Sequence, residues 1–119
     1  MGYYSNLEGE MEFKGVKDEE YPALTEFLYD HFGFSKDNFV LKDGQVQMVY
    51  GQLIGNERKM YDLEERLLEL KKNYQLTHLS LERYGEETGD FEQYNYDSEK
   101  NVIGVYHPEI NYKLTHELN

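Results

Sequence analysis

Residues 3 to 14 alternate with a period of two, Leu7, Met11 and Phe13 falling on one side with Gly9, and Glu8, Glu10 and Glu12 on the other. This is the pattern of a half-buried β-strand. Its outer side is a row of carboxylates, and unpaired carboxylates are too costly to bury. The chain must therefore build a sheet with one face on a core and one face toward water.

The rest of the sequence supplies the other layer. From Asp18 a helix is predicted, with Asp18, Glu19 and Glu20 at its positive end, Leu24, Phe27, Leu28 and Phe32 along one side, and Gly33 as its stop. Pro22 is tolerated there only in the first turn. Phe39 to Leu41 and Val46 to Tyr50 flank Lys42-Asp43-Gly44-Gln45, and Asp-Gly between apolar runs signals a hairpin. Asn56 is expected to cap a helix over 57–73, with Met60, Leu63, Leu67 and Leu70 on one stripe, Tyr61 and Leu68 beside it, and Lys71 and Lys72 at its negative end. Three strands are predicted to follow, Leu76 to Tyr84, Asp90 to Tyr96 and Val102 to His107, separated by the turns 85–89 and 97–101. Pro108 ends the last strand, and the tail from about residue 109 frays or adds an edge.

The order strand, helix, hairpin, helix, three-strand meander predicts one two-layer α+β domain over residues 1–119, with two helices on one face of a mostly antiparallel sheet. It is similar to a ferredoxin-like arrangement with extra strands. A chain of 119 residues can bury one core without a metal or disulfides. Cysteine is absent, which removes disulfides, thiol catalysis and cysteine-ligated zinc, and accords with a reducing cytoplasm. The opening MGYYSNLEGEMEF has neither the basic start nor the apolar run of a secretory signal, and no window is long and apolar enough to span a bilayer. Asn6 stands where a myristoylation motif needs Ser or Thr. A cytoplasmic location, within the host cell if the chain is phage-encoded, is the expectation.

Net charge is −12, from 24 acids against 12 bases. Direct binding to nucleic acid or to anionic membranes is disfavoured, since both need a basic face. The 12 tyrosines and 6 phenylalanines argue for a folded chain, because acidic disordered chains are poor in aromatics.

Chemical motifs are sparse. His31, His78, His107 and His116 share no metal-ligand spacing, and Asp37, Asp43 and Gly44 do not fit a calcium loop. Glu86, Glu87 and Asp90 place three oxygen donors within five residues, yet outside any recognisable loop motif. Ser5, Ser35, Ser80 and Ser98 lack a nucleophile-elbow pattern, and no glycine-rich loop precedes a helix. No catalytic residue, metal or cofactor is expected.

What stands out is the stretch Leu81 to Glu99, where Glu82, Glu86, Glu87, Asp90, Glu92, Asp97 and Glu99 face a lone Arg83. Glu82 and Tyr84 share one side of their strand, as Glu92, Tyr94 and Tyr96 do on theirs. Tyrosine beside acid suits an interface anchor, with large contact area and a polar tip; the plainer alternatives are strand packing and solubility. One strand row spaces its charges about 6.7 Å apart, against about 3.4 Å along one nucleic-acid strand. Adjacent rows, such as Glu8, Glu10 and Glu12 with Glu82 and with Asp90 and Glu92, would approach that density. The expected partner-binding residues are Glu82, Tyr84, Glu86, Glu87, Asp90, Glu92 and Tyr94.

Gly2-Tyr3-Tyr4 with Gly9-Glu10, and Gly85-Glu86-Glu87-Thr88-Gly89-Asp90, carry a resemblance to small uncharacterised proteins of phages and prophages that begin with a Gly-Tyr-Tyr strand and share a Gly-Glu-Glu-x-Gly-Asp turn. Those have a tryptophan soon after the Gly-Asp pair, where this chain has Phe91. The resemblance implies a phage or mobile-element setting. In size, acidity and context the chain also resembles anti-CRISPR proteins, with no shared motif. The resulting expectation is a non-enzymatic acidic protein that binds and inhibits a basic nucleic-acid-handling host protein, such as a CRISPR effector or other nuclease, as a nucleic-acid mimic. The alternatives are a self-associating homodimeric module whose charge serves solubility, and a small enzyme acting on a nucleotide-derived signal.

Overall fold

The computed structural model describes residues 5–49, 53–57, 63–107 and 113–119. In chain order these form β1 (Ser5–Lys14), α1 (Tyr21–Phe32), a 3-10 turn (Lys36–Asn38), β2 (Phe39–Lys42), β3 (Gln45–Met48), β4 (Leu53–Glu57), α2 (Leu63–Asn73), β5 (Gln75–Tyr84), β6 (Phe91–Asp97), β7 (Val102–His107) and β8 (Lys113–Leu118). The sheet runs β2-β3-β1-β5-β6-β7-β8, with β4 also on β1. All its pairings are antiparallel.

With β4 inserted between β3 and α2, the elements β1, α1, β2, β3, α2 and β5, in spatial order β2-β3-β1-β5, have the connectivity of the ferredoxin-like arrangement. The meander β6 to β8 extends it on one side, with Lys113–Leu118 as the edge strand β8. Each element follows from a local cause. Asp43 and Gly44 both take positive φ, 53° and 78°, as a two-residue type I′ hairpin demands, which sets Lys42 opposite Gln45. Gly33, left-handed at φ 74°, ends α1 by donating its N–H back into the last turn. The acids Asp18, Glu19 and Glu20 lie just before α1 rather than within it, and the Glu20 carboxylate accepts the Lys17 N–H at 3.0 Å.

The expectation for Asn56 is corrected. It lies in β4, opposite Asn6 of β1, and the expected first helical residue, Glu57, is still strand, opposite Ser5. The described part of α2 begins at Leu63. The cause is the length of β1: β3 reaches it only at Phe13↔Val46, so the first half of that edge needs another strand for its backbone groups. Leu53–Glu57 supplies it. Between the two partners, the Met11 N–H donates to the Met48 sulfur at 3.4 Å. Tyr3, Tyr4, Tyr50, Met60, Tyr61 and Pro108 lie outside the described residues.

One core joins both helices to one sheet face. Leu24, Leu28 and Phe32 of α1 and Leu63, Leu67 and Leu70 of α2 pack with Leu7, Met11 and Phe13 of β1, Leu76, Leu79 and Leu81 of β5, Tyr94 of β6, and Ile103 and Val105 of β7. At Gly9 the backbones of β1 and β5 come so close that a Cβ would sit 1.9 Å from the Ser80 carbonyl oxygen, at a φ of +150°. Only glycine fits there. No helix of the described residues is long and apolar enough to cross a membrane.

Candidate functional site

Strand parity divides the acidic stretch between the two faces of the sheet. Glu82 lies directly opposite Glu8 of β1 and Gln93 of β6, on the face away from the helices. Arg83, one residue on, lies opposite Leu7 and Glu92, on the face toward them. Of the seven expected residues, Glu82 and Tyr84 belong to the open face, Glu86 and Glu87 to the exposed turn, and Asp90, Glu92 and Tyr94 to the helix side around Arg83. The anticipated three adjacent rows reduce to two, β1 and β5.

Arg83 is 2% exposed and its guanidinium is held on several sides. Nε donates to Glu92 Oε1 at 2.9 Å, Nη1 to Ser5 Oγ at 2.9 Å and to Asp90 Oδ2 at 3.3 Å, and Nη2 to Asp90 Oδ1. The Tyr94 hydroxyl, also buried, donates to Glu92 Oε1 at 3.0 Å. Burial alone would lower the Arg83 pKa, but the bonds to Asp90 and Glu92 and their charges more than offset it, and the guanidinium is held above its ordinary value. Burial raises the Tyr94 phenol well above its usual range, reinforced by the charge of Glu92 and the bond to it, against an opposing effect of Arg83.

Residues that the sequence did not single out complete this side. Ser5 is buried against Arg83. His107 Nε2 lies 3.8 Å from Glu92 Oε2, and His116 of β8 is 2.9 Å from Glu64 of α2, whose charge also reaches Tyr94. The available signal was the run Leu79, Leu81, Arg83, which continues a buried period-2 row into a charged residue. A row of that kind forces carboxylates inward to meet it. The arrangement is a satisfied ion-pair network that ties the acidic turn to the core. Two clefts of ≈490 and ≈510 Å³ among the described residues are lined by neither Arg83, Glu92 nor His107. Among the described residues no group of three or more His, Asp or Glu is placed to hold a metal ion.

The open face has a different chemistry. Glu8, Glu10 and Glu12 line β1, Glu82 stands opposite Glu8, and His78 Nε2 pairs with Glu10 Oε1 at 2.7 Å. Tyr84 donates its hydroxyl to Glu82, and its ring meets Phe91 edge-on with centroids 4.5 Å apart. Ile54 of β4, opposite Glu8, is 70% exposed. Beyond this face, the turn is closed by Gly85 N–H to the Asp90 carbonyl at 2.7 Å and Asp90 N–H to the Glu87 carbonyl at 3.1 Å, with Glu86 and Glu87 outside. The arrangement offers carboxylates and aromatic edges to a docking cation.

Comparison of the chain with protein-family models, with curated proteins and with solved structures finds no match.

Proposed function

We propose that the chain is a phage-type inhibitory protein whose open acidic sheet face docks on a basic nucleic-acid-handling host protein, such as a CRISPR effector, and covers its nucleic-acid site. The observation that carries this reading is the register that sets Glu8 against Glu82, beside Glu10 and Glu12, on the side of the sheet away from α1 and α2. Neighbouring carboxylates on two paired strands concentrate negative charge on this face, the kind of field that steers a cationic partner. Three carboxylates two residues apart on β1 occupy three repeats of about 6.7 Å, and with Glu82 the average is roughly one charge per 5 Å, between the spacing of one strand row and the roughly 3.4 Å of a single nucleic-acid strand. Tyr84 and Ile54 add contact area at the edge of the charged patch. The working site becomes Glu8, Glu10, Glu12, Glu82, Tyr84, Glu86 and Glu87, while Asp90, Glu92 and Tyr94 hold the turn in place through Arg83.

The test is displacement of a labelled single-stranded oligonucleotide from purified basic nucleases, including CRISPR effectors, by the intact chain. Displacement should weaken in high salt and disappear in the E8Q/E10Q/E12Q/E82Q variant, with folding checked by circular dichroism. Equal displacement by that variant would sink the reading. Salt-insensitive dimerisation in sedimentation, without displacement, would favour self-association instead.

A further inference from the structure

A second site lies at the other end of β5 from the acidic turn, a strand length of about 30 Å away. There the end of β1, the end of α2, the start of β5 and the β6–β7 turn enclose a cleft of ≈510 Å³. This falls within the range of about 300–1,000 Å³ that small ligands occupy. Its charged lining is Lys14 and Lys71, and no Asp, Glu or His lines it, in a chain whose acids outnumber its bases 24 to 12. The two lysines come from different elements, so neighbouring positions in sequence do not explain the pairing.

The remaining walls are donors and rings. The Lys71 ammonium spends one donor on the Asn101 carbonyl at 3.0 Å, leaving two of its three for other partners. The Tyr96 hydroxyl donates to Asn101 Oδ1 at 2.9 Å, so both groups brace the same residue, which holds a left-handed φ of 56°. Tyr74 rests edge-on against Phe13 with ring centroids 6.2 Å apart. Its phenol is raised above the ordinary value by burial and then by the charge of Glu20, and stays a neutral donor. Thr77 and Ser98 add hydroxyls. Two ammonium groups and several hydroxyls, with no lining carboxylate, complement an anion with several acceptor oxygens; two tyrosine walls complement a planar ring.

We infer that this cleft binds a small ligand that joins a phosphate to an aromatic ring, the chemical class of a nucleoside monophosphate. The site shares no residue with the acidic face, which it adjoins at Lys14 two positions beyond Glu12, and does not depend on the inhibitory reading. It is tested by amide NMR titration of the full chain with AMP, with inorganic phosphate and with adenosine. AMP should shift the Lys71, Thr77, Ser98 and Asn101 amides saturably, and more tightly than either fragment. K14Q/K71Q should weaken AMP about tenfold or more, as loss of two charge-assisted contacts implies. K14Q alone, at an exposed strand end, should give an intermediate loss with an otherwise unchanged spectrum. Absence of saturable shifts at these amides, or unaltered affinity in both variants, would overturn the proposal. Adenosine binding as tightly as AMP would overturn the phosphate, and inorganic phosphate binding as tightly as AMP would overturn the ring.

Discussion

Glu82 and Arg83 are neighbours in the chain and inhabit different media. On the open face Glu82 stands against Glu8 with water alongside; on the helix side Arg83 is 2% exposed and its partners Asp90 and Glu92 are less than one-fifth exposed. The same residue type, glutamate, thus lies on the open face in one place and inside a buried ion-pair network in the other. Charge count describes neither role, since only strand parity and register separate them.

Removing the cation from the inner cluster should have the largest effect. R83M keeps the stem and leaves Asp90 and Glu92 without their shared partner, at an expected cost of about 3–5 kcal/mol in urea unfolding. E92Q, which leaves Asp90 on the guanidinium, should cost less, about 1.5–3 kcal/mol. A cost below about 0.5 kcal/mol for both would mean that the network contributes nothing to the fold.

Y94F sharpens the contrast through pH. An unfolded tyrosine ionises near 10.0, whereas the folded Tyr94 phenol is held above that by burial and by Glu92. The folded state therefore keeps its proton longer, and stability is lost as pH rises past the unfolded value. One such group accounts for about 1.4 kcal/mol of the loss between pH 9 and pH 11. Y94F should unfold more easily at neutral pH and lose correspondingly less over that interval, as read from urea midpoints at each pH.

The smallest effect carries the opposite sign. E82Q removes a like-charge opposition and should stabilise the domain by about 0.2–1 kcal/mol, while weakening displacement of oligonucleotide from its target. A destabilisation would place Glu82 with Glu92, inside the architecture.

Much of this fold was legible because local signals agreed with the global pattern. The alternation of Leu7, Met11 and Phe13, the Asp43-Gly44 turn and the Gly33 stop each fixed an element by near-neighbour physics. β4 was not legible, since Leu53–Glu57 is a strand chiefly because the first half of β1, paired with β5 on one edge, is out of reach of β3 on the other, a cause dozens of residues away. The acidic stretch was legible as charge and not as geometry. That Glu82 shares a side with Tyr84, and Glu92 with Tyr94, follows from period two; which side meets the helices follows from Leu79 and Leu81, whose parity Arg83 continues.

The junction where β3 and β4 succeed one another along β1 has a chemical consequence. There the rung is a Met11 amide bonded to a thioether, 3.4 Å from the Met48 sulfur, in place of a carbonyl. Thioethers accept weakly and oxidise to bulkier, polar sulfoxides. Peroxide therefore has a chemical handle on this sheet at the Met48 sulfur: its conversion would alter the acceptor between two strand partners, and a changed rate of amide exchange at Met11 would register it.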